Sequence, residues 1–317
     1  MSGIFVFLAS TLALMGIYVI LATILNLEAG WGGLWDLGMA GLLAAGAYSY
    51  VILTVASDAI VFAPGLPLWV GIIGASLTGG TLAFLIGIPS LRMRGEYFLI
   101  TTFAFSVVVL QLITTERYIT SGATGFHDIA RPFEGAVSAR EYNFVLLAMV
   151  IVVAVCVWLI VDRLARAPYG RLLRALRDNE AAAQSVGKNV TRARLQAFVI
   201  AGLLIGAVSP IYVWYVRSLS PHHFLVTLAF TVWTALVIGG MGSRRAPDFG
   251  AVLLIGMTEA VQFLQISAEH AVLLASARPI IIGLALILIL RFRPQGLTPE
   301  AKSFSRARHA VDDEDRN

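Results

Sequence analysis

The chain has 317 residues, of which 58% are hydrophobic and only 13% are charged, and its mean hydropathy is +0.82. A water-soluble domain carries about a quarter charged residues, so this composition excludes that class and makes lipid the main solvent. The net charge of +4 comes without a basic stripe interleaved with aromatic residues, so nucleic acid is not an expected partner.

Nine apolar runs follow one another along the chain, each close to the length of about 20 residues that a helix needs to cross the hydrocarbon core. The predicted fold class is all-α, a polytopic inner-membrane helix bundle with about nine transmembrane segments. The runs cover approximately residues 4–25, 32–55, 66–88, 97–113, 143–162, 196–216, 224–241, 248–266 and 271–290.

The second run, 32–55, combines five glycines with the charged Asp36. This pattern predicts a broken or re-entrant segment, which lipid tolerates only where other helices shield it. In a later run, Gly202 and Gly206 lie four residues apart, a spacing that lets helix backbones approach closely in lipid.

Basic residues lie mostly between alternate runs. With the connection after the third run placed in the cytoplasm, 18 of the 23 Lys and Arg residues fall on that side. Cytoplasmic loops collect positive charge, so this asymmetry predicts the orientation of the bundle. Residues 1–297 are predicted to form one transmembrane domain, and the polar residues 298–317 a disordered cytoplasmic tail.

The longest internal polar stretch, residues 163–195, carries eight basic residues and lies on the cytoplasmic side by this count. Within it, Asn179 suits a helix N-cap, Glu180 the first turn, and Gly187 the stop after two turns. The residues between them are small or polar: Ala181, Ala182, Ala183 and Gln184. The pattern predicts a short smooth helix, either an ordinary surface helix or one that seats in a groove of another protein.

The segment 177–198 resembles the coupling segment of the branched-chain amino-acid permease family, within the permeases of ATP-binding cassette (ABC) importers. Further landmarks of that family occur in order at 91–105, 122–125, 220–221, 239–243 and 293–297. Departures from the family pattern lie at 34–39 and 244–247, where Asp36 and two arginines occur. Residues 163–195 are called the coupling segment from here on.

The resemblance implies a transport subunit of the bacterial inner (plasma) membrane, surrounded by membrane lipid, that imports branched-chain or other hydrophobic amino acids. Its implied partners are cytoplasmic ABC ATPase subunits, a second homologous permease subunit and a periplasmic binding protein. The coupling contact would be made by residues 179–184 and Gly187. Urea or short-amide import by an ABC permease, and ion-coupled secondary transport, are the alternatives.

The sequence contains no G-x-x-x-x-G-K-[ST] phosphate loop and no recognisable catalytic or metal-ligand set. We therefore expect no enzyme activity, no metal and no bound cofactor in this chain, with ATP used by partner subunits. Polar residues at membrane depth are the candidates for lining a translocation pathway, because burying them in lipid is costly. They are Asp36, Thr101, Thr102, Glu259 and Gln262.

Overall fold

The computed structural model describes residues 2–55, 63–93, 95–127, 129–135, 137–138, 141–263, 280, 283–284, 287–288, 291–293 and 295–300. This part of the chain contains helices and no β-sheet, which confirms the all-α prediction. The helices are α1 (Ser2–Leu25), α2 (Met39–Thr54), α3 (Leu68–Ser90), α4 (Gly95–Thr115), α5 (Arg117–Thr120), α6 (Tyr142–Arg166), α7 (Pro168–Asp178), α8 (Glu180–Ser185), α9 (Val190–Val216), α10 (Val226–Gly239) and α11 (Ala246–Phe263).

Six helical stretches of the described chain are long and apolar enough to cross a membrane, and each matches one of the nine predicted runs. The second run contains only the 16-residue α2, and the eighth overlaps most of α11. Most of the ninth run, 271–290, lies outside the described residues. The structure therefore supports a multi-pass membrane protein, while the count of about nine spans is not confirmed.

Helices α3 and α9 make the most extensive helix–helix contact of the described chain. A Cβ atom added at Gly79 would collide with the Gly202 carbonyl oxygen, and one added at Gly206 would collide with the Ala75 carbonyl oxygen. The two backbones therefore touch where the glycines lie, which confirms the close approach predicted from Gly202 and Gly206.

The helical structure is interrupted between α1 and α2, as the composition of the second run predicts. Helix α1 continues into a π-helical turn, Asn26–Trp31, and residues 32–38 then form an unwound segment before α2 begins. Most of the unwound segment is buried, and its polar backbone is met by α4 and α10. Protein rather than lipid therefore surrounds this irregular backbone.

The π-helical turn and the connection after α10 meet the coupling segment at one end of the bundle, here called the basic end. Trp31 Nε1 donates a 2.7 Å hydrogen bond to the Gly242 carbonyl oxygen at this end. Helix α2 then runs from the unwound segment to the opposite end, where Thr54 packs beside Gly71 near the start of α3. The second run thus passes through the bundle, and the start of α1 lies at the opposite end.

The segment 295–300 packs against the basic end. Leu297 N donates to the Ile238 carbonyl oxygen at 2.9 Å, and Thr298 N donates to the Gly239 carbonyl oxygen at 2.8 Å. The first residues of the predicted tail therefore contact the bundle, while residues 301–317 lie outside the described part of the chain. Disorder of the tail and the domain boundary at 297 stay predictions.

Candidate functional site

The coupling segment contains two short helices, α7 and α8, which lie at the basic end of the bundle between the end of α6 and the start of α9. Helix α7 begins with Pro168, whose fixed backbone angle and missing N–H suit the first helical turn. Leu173 and Leu176 are fully or almost fully buried, whereas Arg171 is exposed. Helix α7 is therefore amphipathic, with these leucines buried against the bundle and Arg171 exposed to solvent.

Helix α8 begins and ends at the residues that the sequence indicates. The Asn179 side chain accepts a 3.0 Å hydrogen bond from Ala182 N, which is the N-cap contact. After Val186, Gly187 adopts φ +75°, and Lys188 N donates to the Ala183 carbonyl oxygen at 3.2 Å. A left-handed glycine after the last turn ends the helix, so the predicted local structure is confirmed.

Nearly all of α8 faces solvent. Ala183 alone among residues 179–189 is buried, where it packs against Leu176, Val190 and Ala193. Val186, directly after the helix, is 71% exposed although its side chain is apolar. Ala183 thus provides the only buried side chain of this stretch, and the remainder of the surface of α8 faces outward.

The polar side chains of α8 are already engaged within the chain. Glu180 forms a 2.9 Å ion pair with Arg194, and Gln184 donates to the other Glu180 carboxylate oxygen at 3.3 Å. Glu180 remains about half exposed, since its side chain has a relative accessibility of 48%. The ion pair joins the start of α8 to the second turn of α9, whereas the Gln184 contact lies within α8.

Asp36, in the unwound segment, lies beside Thr102 of α4, deep in the bundle. Asp36 is fully buried, and one carboxylate oxygen, Oδ1, accepts a 2.7 Å hydrogen bond from Gly38 N. Thr102 Oγ1 accepts from Leu37 N at 3.2 Å, and Trp233 Nε1 donates to the Asp36 carbonyl oxygen at 2.6 Å. The other carboxylate oxygen, Oδ2, has no hydrogen-bond partner within the described part of the chain.

Of the remaining pathway candidates, Thr101 precedes Thr102 on α4, and the other two belong to α11. Thr101 is only partly exposed, and its hydroxyl donates to the Tyr97 carbonyl oxygen of the preceding turn at 2.8 Å. Glu259, on α11, is half-buried and interacts electrostatically with Tyr18 and Tyr215. Gln262 also belongs to α11, but its side chain lies outside the described part of the chain.

Two charged residues with prominent positions are not identified by the sequence analysis. Glu28, in the π-helical turn, is fully buried, and neither of its carboxylate oxygens has a hydrogen-bond partner among the described residues. Arg177, at the end of α7, reaches Gly30 in the same turn. The one sequence signal for Glu28 is its position, since it is an acidic residue three positions after the first apolar run. No local signal indicates the contact of Arg177.

This arrangement, a bundle of apolar helices with a small exposed helix at its basic end, is that of a multi-pass membrane protein. A family model described as "Branched-chain amino acid transport system / permease component" matches residues 7–290. The chain belongs to this family of permease components.

Individual relatives agree with the family. The high-affinity branched-chain amino acid transport system permease proteins LivM of Salmonella typhimurium and Escherichia coli are each 32% identical over 89% of this chain and 68% of the relative. A probable branched-chain amino acid transport permease protein LivM of Methanocaldococcus jannaschii is 27% identical over 90% of this chain and 91% of the relative.

Proposed function

We propose that this chain is the membrane-spanning subunit of an ABC importer for branched-chain amino acids, and that α8 docks on a separate ATPase subunit. The observation that carries the proposal is the exposure of residues 179–189 with only Ala183 buried. Small side chains let another protein approach the backbone of a helix closely, as a helix-in-groove contact requires. Residues 179–184 and Gly187 would form the contact.

The proposed partners follow from the family. A second homologous permease subunit would complete the transmembrane core, and a periplasmic binding protein would deliver the substrate. The basic end would face the cytoplasm of a bacterial inner membrane, since the sequence-based topology assigns 18 of the 23 Lys and Arg residues to the cytoplasmic side. ATP would be bound and hydrolysed only by the partner ATPase, with no cofactor in this chain.

The translocation pathway is proposed to run beside the unwound segment 32–38. Asp36 and Thr102 meet there, and broken helices at membrane depth form binding sites in several transporter folds. Thr101, Glu259 and Gln262 are proposed as further lining residues on α4 and α11. The names of the relatives support a branched-chain amino acid as the substrate, rather than urea or a short amide.

Docking of α8 is tested by Ala181→Trp, which places a large side chain on an exposed position of the helix without changing its charge. We expect co-purification of the ATPase and ATP-dependent uptake of leucine to fall together, because the indole prevents close approach. The matched control is Ala123→Trp, an exposed alanine in a turn at the opposite end, which should leave ATPase co-purification unchanged.

Unchanged co-purification with Ala181→Trp would contradict α8 as the docking helix. Leucine uptake driven by an ion gradient after deletion of the ATPase would contradict the importer as a whole and favour a secondary carrier. Competition of the uptake by urea or short amides, with no effect of branched-chain amino acids, would contradict the proposed substrate.

A further inference from the structure

Arg177 lies where the proposed docking helix joins the bundle. It belongs to the last turn of α7, and only Asn179 separates the end of α7 from the start of α8. A displacement of α8 therefore moves the end of α7 as well. The side chain of Arg177 is 25% exposed, so most of it lies inside the basic end.

The guanidinium of Arg177 joins three parts of the chain that are distant in sequence. Its Nη1 donates a short hydrogen bond to the Gly30 carbonyl oxygen, 147 residues away. Its Nη2 pairs with Glu300 Oε2 at 2.9 Å, 123 residues away, and its Nε pairs with Asp178 at 3.0 Å. A planar guanidinium holds several acceptors at once, which a lysine ammonium does with less geometric precision.

The charge of Arg177 is maintained despite its burial. Burial alone lowers the pKa of a guanidinium, but the carboxylates of Glu300 and Asp178 raise the pKa of Arg177 above its ordinary value. The hydrogen bonds are therefore charge-assisted, and these are stronger than neutral ones.

The same cluster includes the connection after α10. A Cβ atom added at Gly242 would lie 2.7 Å from Glu300 Oε2 and 2.9 Å from Arg177 Nη1, so the ion pair packs directly on this glycine. Gly242 N donates to Asn26 Oδ1 at 2.9 Å, and Asn26 Nδ2 donates to the Ser243 carbonyl oxygen at 2.8 Å. The π-helical turn is thus bonded on one side to Arg177 and on the other to residues 242–243.

The π-helical turn leads directly into the unwound segment. Leu34 N donates to the Glu28 carbonyl oxygen at 2.9 Å, so the turn and the segment share a hydrogen bond. Asp36 follows two residues later and holds Trp233 and Gly38. Polar contacts joined by short stretches of backbone therefore link the end of α7 to Asp36.

We propose that Arg177 is a positioning residue that passes displacement of α8 to the unwound segment 32–38 through the Gly30 carbonyl, with Glu300 holding its guanidinium in place. This inference rests on the proposed function, since it assigns a route for the force that a docked ATPase applies. It also assigns a role to the segment 295–300, which carries Glu300 and anchors it to the end of α10.

The test uses the full transporter in liposomes, with both permease chains, the ATPase subunits and the binding protein. Leucine taken up is measured against ATP hydrolysed. Arg177→Ala is expected to lower leucine transported per ATP about tenfold, a size typical of coupling between sites, while ATPase co-purification stays unchanged. Arg171→Ala is the matched control, because Arg171 is an exposed arginine of the same helix with no recorded bond to Gly30 or Glu300 within the described part of the chain.

Two further variants keep the test decisive if Arg177→Ala folds poorly. Arg177→Lys keeps the positive charge but not the forked N–H donors of the guanidinium. We expect a ratio of leucine transported to ATP hydrolysed between those of Arg177→Ala and the unsubstituted protein. Glu300→Ala should lower the ratio less than Arg177→Ala, and the double variant should match Arg177→Ala alone, because residues that act as one unit are not additive.

An unchanged ratio in Arg177→Ala, with the complex assembled, would overturn this inference alone. Loss of ATPase co-purification in both Arg177→Ala and Arg177→Lys would also overturn it, because Arg177 would then shape the docking surface itself. Absence of ATP-dependent uptake in the unsubstituted transporter would overturn the proposed function and, with it, this inference.

Discussion

Asn179 determines where α8 begins, although it is a single polar residue between two helices. Its side chain satisfies the Ala182 amide, one of the four N–H groups that a helix start leaves without an intrahelical partner. Helix α8 has only six residues, and helices of this length do not persist in water without such contacts. The cap and the packing of Ala183 together keep the helix formed.

Asn179→Ala removes the cap and should destabilise α8 by about 1 kcal/mol. We expect faster amide hydrogen exchange at residues 181–186 and weaker ATPase co-purification, because the proposed docking helix then frays. Asn179→Asp, which retains a capping oxygen, should preserve both. As a control, Asn189→Ala removes the equivalent cap of the 27-residue α9 and should leave exchange in α8 and co-purification unchanged. Equal effects of the two alanine variants would contradict this account.

Some of the residue-scale features can be predicted from sequence because they depend on neighbours within one turn. The cap at Asn179 and the stop at Gly187 are of this kind. Asp36 is conspicuous because a charge interrupts an apolar run. The contacts of Arg177 cannot be predicted in the same way, because Gly30 and Glu300 are 147 and 123 residues away and follow no local pattern.

At the scale of elements, α3 and α9 make the most extensive helix–helix contact of the described bundle. In lipid there is little hydrophobic drive between helices, so their association depends on backbone approach and packing. Gly79, Gly202 and Gly206 provide that approach, and Ser76 Oγ adds a 2.9 Å hydrogen bond to the Leu203 carbonyl oxygen. Helix α9 is also the most deeply buried of the six membrane-crossing candidates.

Gly206→Ala should separate α3 from α9, because the added Cβ meets the Ala75 carbonyl and the Ser76 backbone, which cannot move aside. Overpacking of this kind costs roughly 1–3 kcal/mol. We expect a lower thermal midpoint in detergent, measured by the loss of monodisperse protein on heating. Gly256→Ala is the matched control, since its nearest neighbour is only the flexible end of Met15 at 3.2 Å. A midpoint shifted equally by both substitutions would contradict the role of this helix contact.

The length of an apolar run does not predict the residue at which its helix begins. The run 32–55 has the length of a span, yet its helix begins only at Met39, because the unwound segment takes its first residues. Composition indicates a break there, but the exact start depends on Thr102 and Trp233, which lie in other helices. Conversely, the run 196–216 underestimates α9, which begins at Val190, because the polar first turn of the helix lies outside the apolar pattern.

At the scale of the whole molecule, the sequence-based distribution of charge and the observed helix packing divide the connections between the same two ends of the bundle. The coupling segment, residues 238–245 and residues 295–300 meet at the basic end. Residues 126 and 219, from two other connections, pair at the opposite end through two 2.8 Å backbone hydrogen bonds. The grouping of basic connections predicted from sequence is therefore physically consistent with the fold, and it leads to a prediction about sidedness.

Sidedness is tested by cysteine labelling in a Cys156→Ser background, which removes the chain's one cysteine. Lys188→Cys lies in the exposed part of the coupling segment, and Tyr118→Cys replaces a side chain that is 75% exposed at the opposite end. A membrane-impermeant maleimide applied to intact cells with a permeable outer membrane should label position 118 and spare position 188, because basic connections are retained in the cytoplasm. Opening the inner membrane should make position 188 reactive, and the background without either cysteine should stay unlabelled. Labelling of position 188 from outside would reverse the orientation and place α8 beyond the reach of any cytoplasmic ATPase.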